Sequence, residues 1–146
     1  MRRVGQTTGP VRFRLPRDIS DEEIAQAREY VDAGNKLISE DRLPTTGRVK
    51  VTGTLAREKL KAAEAERRRA EMAGQPYGDR VAAHLVDTTW TGQPEPPLGW
   101  GRHTHRVNSV LGSQSGQYPV GYTPTSFDIE DDAWHSGRPG QNSLER

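Results

Sequence analysis

Cysteine is absent from this chain of 146 residues. That excludes a disulfide scaffold, thiolate-held zinc or iron–sulfur groups, and a cysteine nucleophile. It also excludes the zinc deaminase signature, which needs cysteines. Long apolar runs are missing too. Nothing approaches the roughly 18 apolar residues of a membrane span, so no membrane insertion is expected. The basic start, MRRVGQTTGPVRFRLPR, has no apolar stretch and is not a secretory signal. Leu, Ile, Val and Phe together make up only 25 of the 146 residues. So low a fraction borders on disorder, but the large net charge that accompanies disorder is missing, at +1. The expectation is a folded domain with a thin core, stabilised in part by a partner or a metal.

The near-zero net charge conceals a pattern. Residues 1–19 carry five Arg and one Asp, and residues 20–46 carry three basic and seven acidic groups. Residues 47–80 carry nine basic and five acidic groups, and residues 81–146 four basic and seven acidic. A basic middle before an acidic end fits a nucleic-acid surface beside a carboxylate-bearing site, and equally an ordinary alternating surface.

Residues 1–19 read as an extended arm or linker punctuated by Gly5, Gly9, Pro10 and Pro16. Alternation across Val11, Phe13 and Leu15 allows a short strand there. Ser20 and Glu23 have capping-box spacing, so a helix opens at Ser20, with Ile24, Ala27, Val31 and Ile38 as its apolar stripe. A second helix is expected over residues 55–73, stopped by Gly74, with a weak stripe of Leu55, Leu60, Ala63 and Ala70. Its Arg67, Arg68 and Arg69 can hold phosphates or simply form a solvated face. From Gly74 onward the chain holds 10 Gly, 7 Pro and all four His. A short helical patch is expected over residues 79–85, and the rest as ordered loops. The expected fold is therefore mainly α: one small domain with two N-terminal helices and a loop-rich, Gly/Pro-rich catalytic half. Residues 20–134 would form the domain and residues 135–146 a flexible tail.

Four groups of residues can carry chemistry. In His84-Leu85-Val86-Asp87, helical spacing would bring an imidazole and a carboxylate onto one face. Asp87 could then ligate a hard divalent cation while His84 takes a proton from water, or Asp87 could orient His84; on spacing alone the favoured reading is a His84 that packs under the second helix and caps nothing. In the run from Arg106 to Gln114, Arg106 suits an anion clamp, and Asn108, Ser109 and Gln114 suit phosphate oxygens or a metal-bound water. The same side chains could instead satisfy loop backbone. In a strand, His103 and His105 would point the same way, as two zinc ligands do, but no third ligand is obvious beyond His135, and two solvent-facing histidines beside Arg102 and Arg106 are the favoured reading. The aromatics Trp90, Trp100, Tyr118, Tyr122 and Phe127 are best read as the small core that holds the loops. The Asp128, Glu130, Asp131 and Asp132 cluster reads as a solvated edge or a partner contact.

Three motifs in order carry a family resemblance: His84-x-x-Asp87, then Thr88-Thr89-Trp90-Thr91-Gly92-x-Pro94, then Arg106-Val107-Asn108-Ser109-x-x-Gly112-Ser113-Gln114. Together they resemble the H-x-x-D nuclease family of bacterial polymorphic toxins, the novel toxin fifteen group. That group includes type VI secretion DNase effectors and the C-terminal toxin tips of Rhs-like proteins. The similarity spans residues 77–122. It departs from the family pattern at Val86, where a Pro is common, and at Ser115, where an aromatic is common. The resemblance implies a mainly helical fold and DNA degradation with Mg2+ or a similar divalent ion. His84 and Asp87 would be the essential pair. It also implies a cognate immunity protein and a larger secretion or Rhs-type parent that delivers the domain into the target-cell cytoplasm, with no signal peptide of its own. The rival readings are an RNase or nucleotide-degrading toxin using the same site, and a non-catalytic nucleic-acid-binding or assembly module.

Overall fold

The computed structural model describes residues 7–130. The chain runs β1 (Thr8–Phe13), α1 (Asp21–Ser39), α2 (Gly53–Met72), β2 (Val81–His84), α3 (Thr88–Thr91), β3 (Trp100–His103), α4 (His105–Ser115) and β4 (Thr123–Ile129). Two small sheets hold it together. β1 pairs parallel with β4, and β2 pairs antiparallel with β3. Helix accounts for 44% and strand for 17% of these residues. The architecture is thus α/β, and the mainly α expectation is overturned. The reason is non-local pairing. A six-residue strand near the start finds its partner more than a hundred residues later, which no local periodicity reports.

The strand allowed across Val11, Phe13 and Leu15 is present, and it is central. Val11, Phe13, Leu15 and Ile19 are all buried. Residues 7–19 therefore supply part of the core instead of hanging off it. Phe13 meets Tyr30 edge-on at 5.6 Å and stacks near Phe127 at 6.5 Å. Trp90 closes the cluster against Phe127 at 5.4 Å. These aromatics make the core, as their composition suggested.

α1 opens as the sequence indicates. The Ser20 hydroxyl accepts from the Glu23 N–H, and the Glu23 carboxylate accepts from the Ser20 N–H. Its buried face includes Ile24, Ala27, Tyr30, Val31 and Leu37. The helix docks on β4 through two features. Asn35 exchanges hydrogen bonds with both the N–H and the carbonyl of Phe127, each at 2.8 Å. Gly34 leaves room for the Phe127 ring, where an added Cβ would come within 2.5 Å of Phe127 Cδ1.

α2 begins two residues before its expected start, and Gly74 follows it with φ +78, the left-handed conformation that suits glycine. Residues 79–85, expected as a helical patch, instead form β2, because Val81 to His84 pair with Trp100 to His103. The connection between β2 and β3 carries α3 and the Pro94–Pro97 stretch. The Leu85–Val86 peptide within it is cis. Among the described residues no helix is long and apolar enough to cross a membrane.

Candidate functional site

His84 is the last residue of β2 and sits opposite Trp100 of β3. The two rings lie 4.5 Å apart at 58°. His84 is 5% exposed. Its Nε2 lies 2.8 Å from the Pro94 carbonyl oxygen. A carbonyl only accepts, so Nε2 carries the proton. Burial, against the raising effect of the Pro94 hydrogen bond and helped by the Lys59 charge, holds the imidazole down to about 4, against its usual 6.5. The ring is therefore neutral at pH 7, with its lone pair on Nδ1. That atom has no hydrogen-bond partner among the described residues, and it is not one of the two enclosed orphan atoms, Thr88 Oγ1 and His103 Nδ1. A neutral ring with one nitrogen pinned and the other without a partner among the described residues can accept a proton, as a weak base.

Asp87 lies at the N-cap position of α3, yet its side chain makes no capping bond. Instead its Oδ2 accepts from the Tyr30 hydroxyl at 2.9 Å, while its own N–H donates to the same hydroxyl oxygen at 3.3 Å. Tyr30 is buried, and its phenol is pushed well above 10, so it remains a donor. Burial also raises the Asp87 carboxyl above its usual range, opposed by the Tyr30 bond and by the charges of Lys59 and His103. The expected shared helical face does not exist. His84 ends a strand and Asp87 precedes a helix, so each is set by its own anchor: Pro94 and Trp100 for one, Tyr30 for the other.

α4 delivers the second motif, and its residues divide. Gly112 faces Asp87, and a Cβ there would lie 3.9 Å from Asp87 Oδ2. Asn108, one turn earlier, is half-buried, and Ser109 is exposed. Neither side chain is engaged among the described residues, so both remain available. The ends of the motif are not. Arg106 donates to Glu23 at 2.6 Å and to Asp18 at 2.9 Å, which ties the start of α4 to the start of α1. That pairing, with bonds from Thr104 and Ser20, pulls the Glu23 carboxyl down to about 2. Gln114 accepts from the Arg14 N–H and donates to the Arg14 carbonyl, at 2.8 and 2.7 Å. The structure thus assigns Arg106 and Gln114 to interior ties, the reading in which polar side chains satisfy backbone and neighbouring elements.

The histidine pair also separates. β3 ends at His103, and His105 opens α4. His103 is fully buried against Glu29, with Nε2 2.8 Å from Glu29 Oε1. His105 is exposed. The alternation that would aim both rings one way is broken at Thr104, the N-cap of α4. His135, Asp131 and Asp132 lie outside the described residues. Among the described residues no three His, Cys, Asp or Glu side chains are grouped to hold a metal.

Sequence reasoning missed Tyr30, Pro94, Trp100 and Lys59. Tyr30 is 57 residues from Asp87, and Trp100 meets His84 only through the β2–β3 pairing. Pro94 acts through its backbone carbonyl, which carries no residue-type signal. A groove of 520 Å³ lined by Glu58, Lys61, Ala62, Gln93, Pro94 and Glu95 runs over the loop that pins His84. In comparisons with known proteins, no family model, curated protein or solved structure matches this chain.

Proposed function

We propose that this chain is a nuclease domain of the toxin class that hydrolyses phosphodiester bonds of DNA with a divalent cation, with His84 and Asp87 as its essential residues. The observation that carries the reading is the state of His84. It is neutral at pH 7, its Nε2–H is held by the Pro94 carbonyl, and its Nδ1 has no partner among the described residues. Such a ring can take a proton from water. The water oxygen then bonds to phosphorus as one P–O ester bond breaks, and the leaving oxygen takes a proton from solvent.

Asp87 suits a magnesium-like cation. Mg2+ binds commonly through one or two carboxylates, with water and substrate phosphate filling the rest. Asp87 has one oxygen fixed by Tyr30 and the other without a described partner. Burial that disfavours its charge would be offset by a cation at the free oxygen. When bound, such an ion supplies charge stabilisation at the phosphoryl oxygens. Asn108, one turn before Gly112 on α4, and Ser109 suit phosphate oxygens or ion-bound water. Arg106 and Gln114 are not assigned to substrate.

The binding-module alternative gains less support. Arg67 donates to the carbonyls of Arg80 and Gly78, and Arg69 pairs with Glu66 at 2.8 Å. Two of the three arginines in the run are thus already engaged internally. By the family resemblance, an immunity protein would block the site and a secretion or Rhs-type parent would deliver the domain.

The test is supercoiled plasmid with Mg2+, run beside lanes containing EDTA, His84→Ala and Asp87→Asn, and beside total RNA. The expected result is nicking and then degradation of the plasmid that needs the metal and both residues, with RNA intact. Cutting by His84→Ala at the parent rate, or an intact plasmid throughout, overturns the reading. RNA loss with intact DNA moves the substrate to RNA.

A further inference from the structure

The inner face of α2 breaks the hydrophobic rule at one place. Residues 55, 56, 59, 62, 63, 66, 67 and 70 are its half-buried or buried positions, spaced at three, four and seven as one helical stripe requires. Lys59 lies at the centre of that stripe. Its neighbour Leu60, the larger apolar side chain, is instead 64% exposed. A lysine turned inward normally finds a carboxylate. The other inward charges of α2 are engaged: Glu66 accepts from Arg69 and from the Tyr77 hydroxyl, and Arg67 donates to the Arg80 and Gly78 carbonyls. Lys59 makes no ion pair or hydrogen bond among the described residues. By contrast Arg57 bonds Thr54, Arg67 bonds loop carbonyls and Arg69 bonds Glu66.

The position of Lys59 along the helix matters. The C-terminal end of the stripe packs Ala70 with Ala82 of β2 and with Trp100. Lys59 lies eleven residues earlier, about 16 Å back along the axis. Its helix neighbours Glu58 and Ala62 line one groove with Pro94, whose carbonyl holds His84 Nε2. The field of the ammonium reaches both side chains, since Lys59 is the one basic residue that lowers both the His84 and the Asp87 proton affinities.

We propose that Lys59 is the phosphate anchor of the His84–Asp87 site: an unpaired, half-buried ammonium on the inner face of α2 that receives the anionic oxygens of a phosphodiester. The proposal rests on the nuclease reading and adds to it the residue that draws substrate in. A compact ammonium on a flexible stem is suited to this role, because its methylenes lie along the apolar stripe while its head makes the anion contact. It also explains why no carboxylate meets it. A standing partner would compete with the substrate.

The experiment compares the parent with Lys59→Met, Lys59→Arg and Arg68→Met. Arg68 lies on the exposed face of the same helix. The substrate is bis(4-nitrophenyl) phosphate, read by nitrophenolate release with Mg2+. Lys59→Met is expected to melt at or above the parent temperature, because an unpaired inward charge is removed. Its kcat/KM is expected to fall about ten- to a hundredfold, carried mainly by KM. Lys59→Arg should recover most of that loss, and Arg68→Met should match the parent. A parental KM in Lys59→Met, or an equal fall in Arg68→Met, overturns the anchor. If the parent cuts no phosphodiester, the nuclease reading has failed separately. Inorganic phosphate titrated against tryptophan fluorescence then decides the anchor. Binding by the parent that is lost in Lys59→Met sustains it, while equal binding in both, or none, overturns it.

Discussion

Lowering the pH from 7 towards 4 protonates an ordinary histidine but leaves His84 neutral in the folded chain, since burial holds it at about 4 against 6.5 when exposed. Between those values the unfolded chain binds a proton that the native chain does not. Stability must therefore rise with pH through this window and be lost as pH falls from 6.5 to 4. The contribution is complete above the unfolded value. The full difference is worth about 3 kcal/mol, which in urea moves the unfolding midpoint by about 1–3 M. The perturbation to compare is His84→Gln. A glutamine amide can still donate to the Pro94 carbonyl but does not titrate. Urea midpoints measured by tryptophan fluorescence at pH 7, 6, 5 and 4 should show a steep loss in the parent. That component should be absent in His84→Gln. Groups common to both proteins cancel in the difference. Glu23, held near 2, acts only below about 4.5 in either protein. Parallel curves for the two proteins would refute the reasoning. So would an NMR titration that places the His84 ring near 6.5. The same measurement bears on chemistry. A base that stays unprotonated down to about pH 4 should put the acid limb of kcat/KM there and not near neutrality.

Two further outcomes follow from the ties around the site. Tyr30→Phe removes the hydroxyl that meets Asp87 Oδ2. It should cost about 1–3 kcal/mol in thermal or urea unfolding and lower nuclease activity about tenfold, and unchanged values in both would show that Tyr30 does not set Asp87. Arg106→Met removes the partner of Glu23 at the junction of α1 and α4. With the guanidinium 38% exposed, solvent screening keeps the loss small. The loss should be largest at neutral pH and shrink as pH falls from 4.5 towards 2, because the Glu23 carboxylate must be charged to use its partner. KM should not move. A raised KM with unchanged stability would restore Arg106 to the phosphate.

What local spacing can report, it reported well. The Ser20–Glu23 capping box and the Gly74 stop are contacts within a few residues, and both are where the sequence puts them. His84 and Asp87 were identifiable as residue types three apart. Their geometry was not, because Val81 to His84 form a strand only by pairing with Trp100 to His103. A short run of small and β-branched residues has no helical or strand period strong enough to decide the matter alone. Arg106 presents the same difficulty in another form. A guanidinium in a run of polar residues looks free until Glu23, 83 residues earlier, is brought beside it. The parallel β1–β4 pair, which overturns the mainly α expectation, joins residues 115 apart. Each of these misses depends on contacts that cross most of the chain.

The stripe of α2 holds at Leu55, Ala63 and Ala70 and fails at Leu60, for a different reason. Choosing Leu55, Leu60, Ala63 and Ala70 follows hydrophobicity, whereas helix geometry turns Lys59 inward and Leu60 out. Local preference and the final structure conflict there without any nearby compensation. They conflict again at His84, a buried imidazole kept neutral, and at Asp87, a carboxyl whose charge burial disfavours. Such departures from the rules that favour folding are expected where a chain is constrained by something besides stability. Here the three departures are joined, because the charge of Lys59 acts on both other groups. Arg106, Gln114 and Asn35, by contrast, are polar residues whose hydrogen bonds tie one element to another. That contrast separates the polar residues that hold this fold from those the proposed nuclease reading assigns to substrate.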